Sequence, residues 1–231
     1  MPSVRTRLPY FYFCMSLLIA GVVIYGFSHT IDHNLIHPHP PPPWILYLHA
    51  PVFCGWVLFF ILQTVLVRTR NVRIHRTLGW FGSVLGTGLL VLGYATSTSM
   101  DRFAYRLTHD SSYAAFLSVQ LNDLICFSVP FALAIYWRKR PEFHRRLMLV
   151  ATCALVDAAF GRIPWLPLMY SPGGVDALIL LGVARDLIVD RRVHKVYLYA
   201  LPGFVCCQVI CMQAFLHQWP WWLKIAEFLV R

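Results

Sequence analysis

Three short segments of this chain repeat one pattern: basic residues, a histidine followed at once by another base, then a long apolar run. They read Arg73-Ile74-His75-Arg76, Pro141-Glu142-Phe143-His144-Arg145-Arg146 and Arg191-Arg192-Val193-His194-Lys195. A neutral imidazole is a strong metal ligand, and two of them converging from non-adjacent helices supply the axial ligands of a six-coordinate b-type haem. Four histidines stand where such ligands would, at the starts of the second to fifth apolar runs: His49, His75, His109 and His144. His49 and His109 fall at one membrane face, His75 and His144 at the other. Arg76 and Arg145, next to the second set, have the charge to meet haem propionates. The competing reading of His75, His144 and His194 is an interfacial anchor on lipid phosphate.

Two further groups carry chemical potential. His29, His33 and His37 are spaced i, i+4, i+8, which on a helix shares one face and suits zinc or copper, with Asp32 and His109 as further donors. The alternative is a solvated loop, because His37-Pro38-His39-Pro40 cannot continue a helix. Inside the apolar runs lie Asp123, Asp157 and Arg162, with Asn122 and Gln63 able to extend a polar network. A charge at the bilayer centre costs about 2.5–3.5 kcal/mol on insertion scales, so these residues should face the bundle interior. Arg162 is predicted to pair with Asp123 or Asp157, as a packing element or as part of a proton path.

The elements that must hold these residues follow from composition. Of 231 residues, 58% are hydrophobic and only 13% charged, far from a soluble domain. Runs of about 20 apolar residues cross a core of roughly 30 Å. The sequence predicts an all-α polytopic bundle with seven spans at about 10–28, 45–67, 77–97, 112–137, 146–168, 174–190 and 196–216, plus an interfacial amphipathic helix at 219–230. The first run reads as a span or signal anchor, since no cleavage site follows it. In the third, Gly82 and Gly86 have the spacing of close helix packing. The net charge of +10 sits in alternate connections, the positive-inside pattern, with the N-terminus inside and the C-terminus outside. That distribution points to anionic headgroups and not to nucleic acid. All seven cysteines lie within the runs, so no disulfide framework is implied.

The stretch His49-Ala50-Pro51-Val52-Phe53-Cys54-Gly55, with Leu66-Val67-Arg68, His75 and Leu78-Gly79, resembles spans two and three of the cytochrome b561 family. That resemblance, over residues 45–165, implies transmembrane electron transfer through two haems, His49 pairing with His109 and His75 with His144. The chain also resembles uncharacterised bacterial multi-span proteins that share His75-Arg76-x-x-Gly79 and His144-Arg145-x-x-Met148 with a later arginine, here Arg162. This implies a bacterial inner membrane. Three functions follow as expectations. One is a b-haem electron-transfer protein exchanging electrons with a quinone. Another is a membrane metal enzyme using zinc or copper, with His75, His144 and either Asp186 or His194 as ligands. The third is a non-catalytic subunit of a larger membrane complex that binds no cofactor.

Overall fold

The computed structural model describes residues 10–230 and is all-helical, with no strand among the described residues. The helices are α1 (Phe11–Ser28), α2 (Ile45–Arg68), α3 (Val72–Thr108), α4 (Ser112–Tyr136), α5 (Pro141–Ala154), α6 (Asp157–Phe160), α7 (Ser171–Val189), α8 (Lys195–Leu216) and α9 (Pro220–Val230). Five of them, α1, α2, α3, α4 and α8, are long and apolar enough to cross a membrane.

Two predicted spans take a different form. The segment expected to cross at 146–168 breaks after Ala154, and α5 alone has 14 residues, about 21 Å. The break is a local tightening: Val156 N–H bonds to Cys153 O and Ala159 N–H to Val156 O, both three residues back. α7 is long enough, but it carries Asp176, Arg185 and Asp186. In α7 the charged Arg185 and Asp186 are turned inward while Leu180, Leu181, Leu187 and Ile188 stay exposed, and in α5 the cause is burial. Every residue of α5 from Leu149 to Ala154 is buried, so this helix is enclosed by protein and need not be apolar toward lipid. The expected span at 77–97 is also longer: α3 runs 37 residues, about 55 Å. Its C-terminal end docks on α9. Arg102 Nε donates to Val230 O (2.9 Å).

Packing is set by aromatic rings entering glycine gaps. A Cβ at Gly82 would lie 2.4 Å from the Phe59 ring of α2, and one at Gly86 would lie 2.3 Å from the Phe131 ring of α4. The two glycines therefore receive side chains and do not bring two backbones together. Trp56, 1% exposed, meets Phe127 and Phe131 edge-on at 5.4 and 5.7 Å, the favoured aromatic geometry. The one backbone-to-backbone approach of this kind is at Gly26 of α1, where a Cβ would fall 2.3 Å from Ala159 O of α6. α9 turns Ala226 and Val230 inward, and its Trp222 Nε1 donates to Ala115 O (3.0 Å). Trp221, Ile225 and Phe228 remain exposed on the other side.

Candidate functional site at the basic end of the bundle

α3 and α5 both begin at the arginine-rich end, and each presents its histidine one turn in: His75 four residues into α3 and His144 at the fourth position of α5. The structure brings these rings together, with centroids 6.3 Å apart and planes at 75°. His144 Nδ1–H donates to Ala134 O at the end of α4 (2.9 Å). A carbonyl only accepts, so this bond places a proton on Nδ1, and in the neutral ring that leaves the lone pair on Nε2. His75 Nδ1 is buried with no hydrogen-bond partner among the described residues, and such an orphaned atom calls for one. On α3, a Cβ at Gly79, one turn along from His75, would meet no described residue within 4 Å. Arg145 reaches Glu142 Oε2 (2.5 Å) and lies over the Tyr12 ring of α1 at 5.5 Å. Arg76 follows His75 at the exposed rim.

The second expected pair is not formed. His49 stacks on Phe53 at 4.0 Å, and its Nδ1 is buried without a partner among the described residues. Phe53 is level with Gly93 of α3. His109 caps the far end of α3 in a left-handed conformation, φ 56°. Counting along α3, that is roughly 18 Å beyond the level of His49. The unexpected length of α3 carries His109 away.

Nor does the outer histidine series form a metal centre. A π-turn at Asp32–Ile36 replaces the α-helical spacing of His29, His33 and His37. His37 Nδ1 bonds to Asp32 Oδ1 (2.8 Å), and His29 sits on Tyr25. Among the described residues, no three His, Cys, Asp or Glu side chains gather as metal ligands.

The intramembrane charges are arranged differently from expectation. Arg162 lies beyond α6 in the following turn. It bonds to Ala158 O, and its guanidinium covers the Phe27 ring of α1 at 4.5 Å. It makes no ion pair with Asp123 or Asp157 among the described residues, because the tightened turns after Ala154 aim it at α1. Asp123 Oδ1 accepts from Asn122 (3.3 Å), while buried Asp157 Oδ1 has no hydrogen-bond partner among the described residues. Both polar atoms of Gln63 are likewise buried with no partner among the described residues.

A cluster of arginine–carboxylate pairs forms at the basic end. Arg146, 1% exposed, grips the fully buried Asp186 of α7 with two bonds, Nε to Oδ2 (2.8 Å) and Nη2 to Oδ1 (2.7 Å). It also reaches Asp190 (2.9 Å) and Glu142 (2.6 Å). Arg185 closes the cluster on Asp186 (2.8 Å) and Asp190 (2.7 Å). The sequence signal was the i, i+4 pair Asp186 and Asp190 opposite an arginine of the preceding span. His194 completes the layer as a cap. Its Nδ1 accepts from Val196 N–H (3.2 Å), and its own N–H points to Asp186 Oδ2 (3.3 Å). Burial, aided by the Arg146 charge, holds this imidazole below its usual range, which suits an acceptor. It is separated by this role from the His75–His144 pair. No family model matches the chain, and no curated protein or solved structure matches it either.

Proposed function

We propose that the chain is an integral membrane electron-transfer protein that holds a single b-type haem between His75 and His144. The observation that carries this is their spacing. Two imidazoles bound on opposite sides of one metal at about 2.0–2.1 Å put their ring centres roughly 6 Å apart, and the rings here stand 6.3 Å apart. A tetrahedral zinc would draw them closer and would need further ligands, which are lacking among the described residues. Ala134 O serves as the outer partner that fixes a ligand ring. Arg76 and Arg145 would supply the charge that meets the propionates. When bound, the haem supplies one-electron chemistry. The protein's part is to fix both rings and to exclude lipid. A quinone in the bilayer is the partner class that such a site would serve.

In this reading α5 with α6, and α7, are two further crossings, α5 enclosed by its neighbours and α7 at the edge with Leu180, Leu181, Leu187 and Ile188 exposed. The N-terminus is inside and the C-terminus outside a bacterial inner membrane, and the exposed Trp221, Ile225 and Phe228 of α9 rest in the outer interface. The decisive experiment is a visible spectrum of protein purified from its native membrane, oxidised and dithionite-reduced. A Soret band and sharpened reduced bands are expected, abolished in His75→Ala and in His144→Ala and retained in His194→Ala. Colourless wild-type protein would overturn the proposal.

A further inference from the structure

Away from the histidine pair, a cavity of about 540 Å³ opens between α4 and α8 with α5 as its floor. Its walls are apolar: Val129 and Leu133 from α4, Leu147 from α5, Gly203 and Cys207 from α8. At Gly203 a Cβ would meet nothing within 4 Å, so the groove is open there. At one end stands Lys195, the first residue of α8. Among the described residues Lys195 makes no ion pair. Arg191 and Arg192 precede it, and Lys139 and Arg140 lie in the nearby connection between α4 and α5.

Length selects the occupant. From Lys195 to Cys207 is twelve residues of helix, about 18 Å, close to one leaflet of a hydrocarbon core, about 15 Å. An apolar slot one leaflet deep with unpaired positive charge at its headgroup end matches an acyl chain below an anionic phosphate. Basic pockets between membrane helices on the cytoplasmic side recognise such headgroups. We infer that this groove is a specific site for one anionic phospholipid of the inner leaflet, its chain lying along α8 and its phosphate on Lys195. The inference stands independently of the haem, because the groove shares no ligand residue with the histidine pair.

The test is native mass spectrometry of the full chain in detergent, titrated with phosphatidylglycerol or with phosphatidylcholine of the same acyl chains. One phosphatidylglycerol adduct is expected, about fivefold tighter than phosphatidylcholine, the factor that one basic residue at an anionic surface contributes. Lys195→Ala should reduce it to the phosphatidylcholine level. Gly203→Leu, which fills the groove, should remove the adduct whatever the headgroup. Bound phosphatidylglycerol should also slow maleimide labelling of Cys207 and leave the exposed Cys54 unaffected. Equal affinity for the two lipids would overturn the inference. So would an adduct unchanged by Lys195→Ala, or Cys207 labelling indifferent to lipid. Should Gly203→Leu fail to fold, the Lys195 and Cys207 measurements decide the matter alone.

Discussion

Replacing Arg146 tests the packing of the basic end most directly. The side chain is 1% exposed and makes two bonds to Asp186, which is itself 0% exposed. Truncation to alanine leaves that carboxylate buried. Breaking a buried pair by removing one partner costs about 3–5 kcal/mol. Two features place this case near the lower bound, about 3 kcal/mol: Arg185 still reaches Asp186 at 2.8 Å, and the His194 N–H lies at 3.3 Å. The bond to Glu142 adds little, because that side chain is 57% exposed. The assay is a double-mutant cycle of denaturant unfolding in detergent. Arg146→Met and Asp186→Leu should each destabilise strongly, and the pair together should lose less than the sum, since no charge is then stranded. Additive losses, or Arg146→Met within about 0.5 kcal/mol of wild type, the range of ordinary surface changes, would refute the argument.

Other outcomes follow from single contacts. Gly26→Leu should destabilise by about 1–3 kcal/mol through overpacking against the Ala159 carbonyl, whereas Gly21→Ala, in open space, should leave thermal stability unchanged or raised. Cysteines introduced at Thr69 and at Ser111, the connections after α2 and before α4, should label from opposite faces of sealed vesicles, and labelling of both from one face would rule out the alternating topology. The Ser112 backbone N–H bond to Asp110 (2.8 Å) holds that exposed carboxyl below its usual range. A lowered folded-state value stabilises above the ordinary pKa of about 3.9 and is lost as pH falls through the lowered value, so Asp110→Asn should flatten the acid limb of a pH–stability profile, and an unchanged limb would count against the bond.

The apolar runs made much of the bundle legible. Expected spans at 45–67, 112–137 and 196–216 differ by a residue or so from α2, α4 and α8, because lipid-facing helices must carry their own hydrophobicity. Where protein replaces lipid, that signal fails. α5 is enclosed, so its limits follow packing and not hydropathy, and its break after Ala154 has no marker in composition. α3 continues through the polar stretch Thr96–Thr108 because Asp101 accepts from Gln120 (3.0 Å) and Arg102 clamps α9, contacts between residues distant in sequence. The same limit applies to the site. Histidines at helix starts could be read from spacing. Which of them meet depends on which helix ends are neighbours: the end of α4 supports His144 beside His75, while the length of α3 withdraws His109 from His49. Arg162 was the conspicuous intramembrane cation, yet the long-range charge pairing belongs to Arg146, whose place beside a run of bases resembled ordinary topology charge.

The length of α3 has a mechanical consequence. A single unbroken rod of 37 residues carries His75 near one end and the α9 clamp near the other. It has no proline, and its glycine gaps at Gly82 and Gly86 are filled by aromatic rings, so it behaves as a stiff lever whose fulcrum is the Phe59 and Phe131 contacts. A tilt of one degree over half its length displaces an end by about 0.5 Å. His144 is anchored through α4 and the Arg146 cluster, and α4 also meets α9 through Trp222. His75 near one end of this rod and the α9 contact near the other, some 40 Å away, are thus joined by a single unbroken helix.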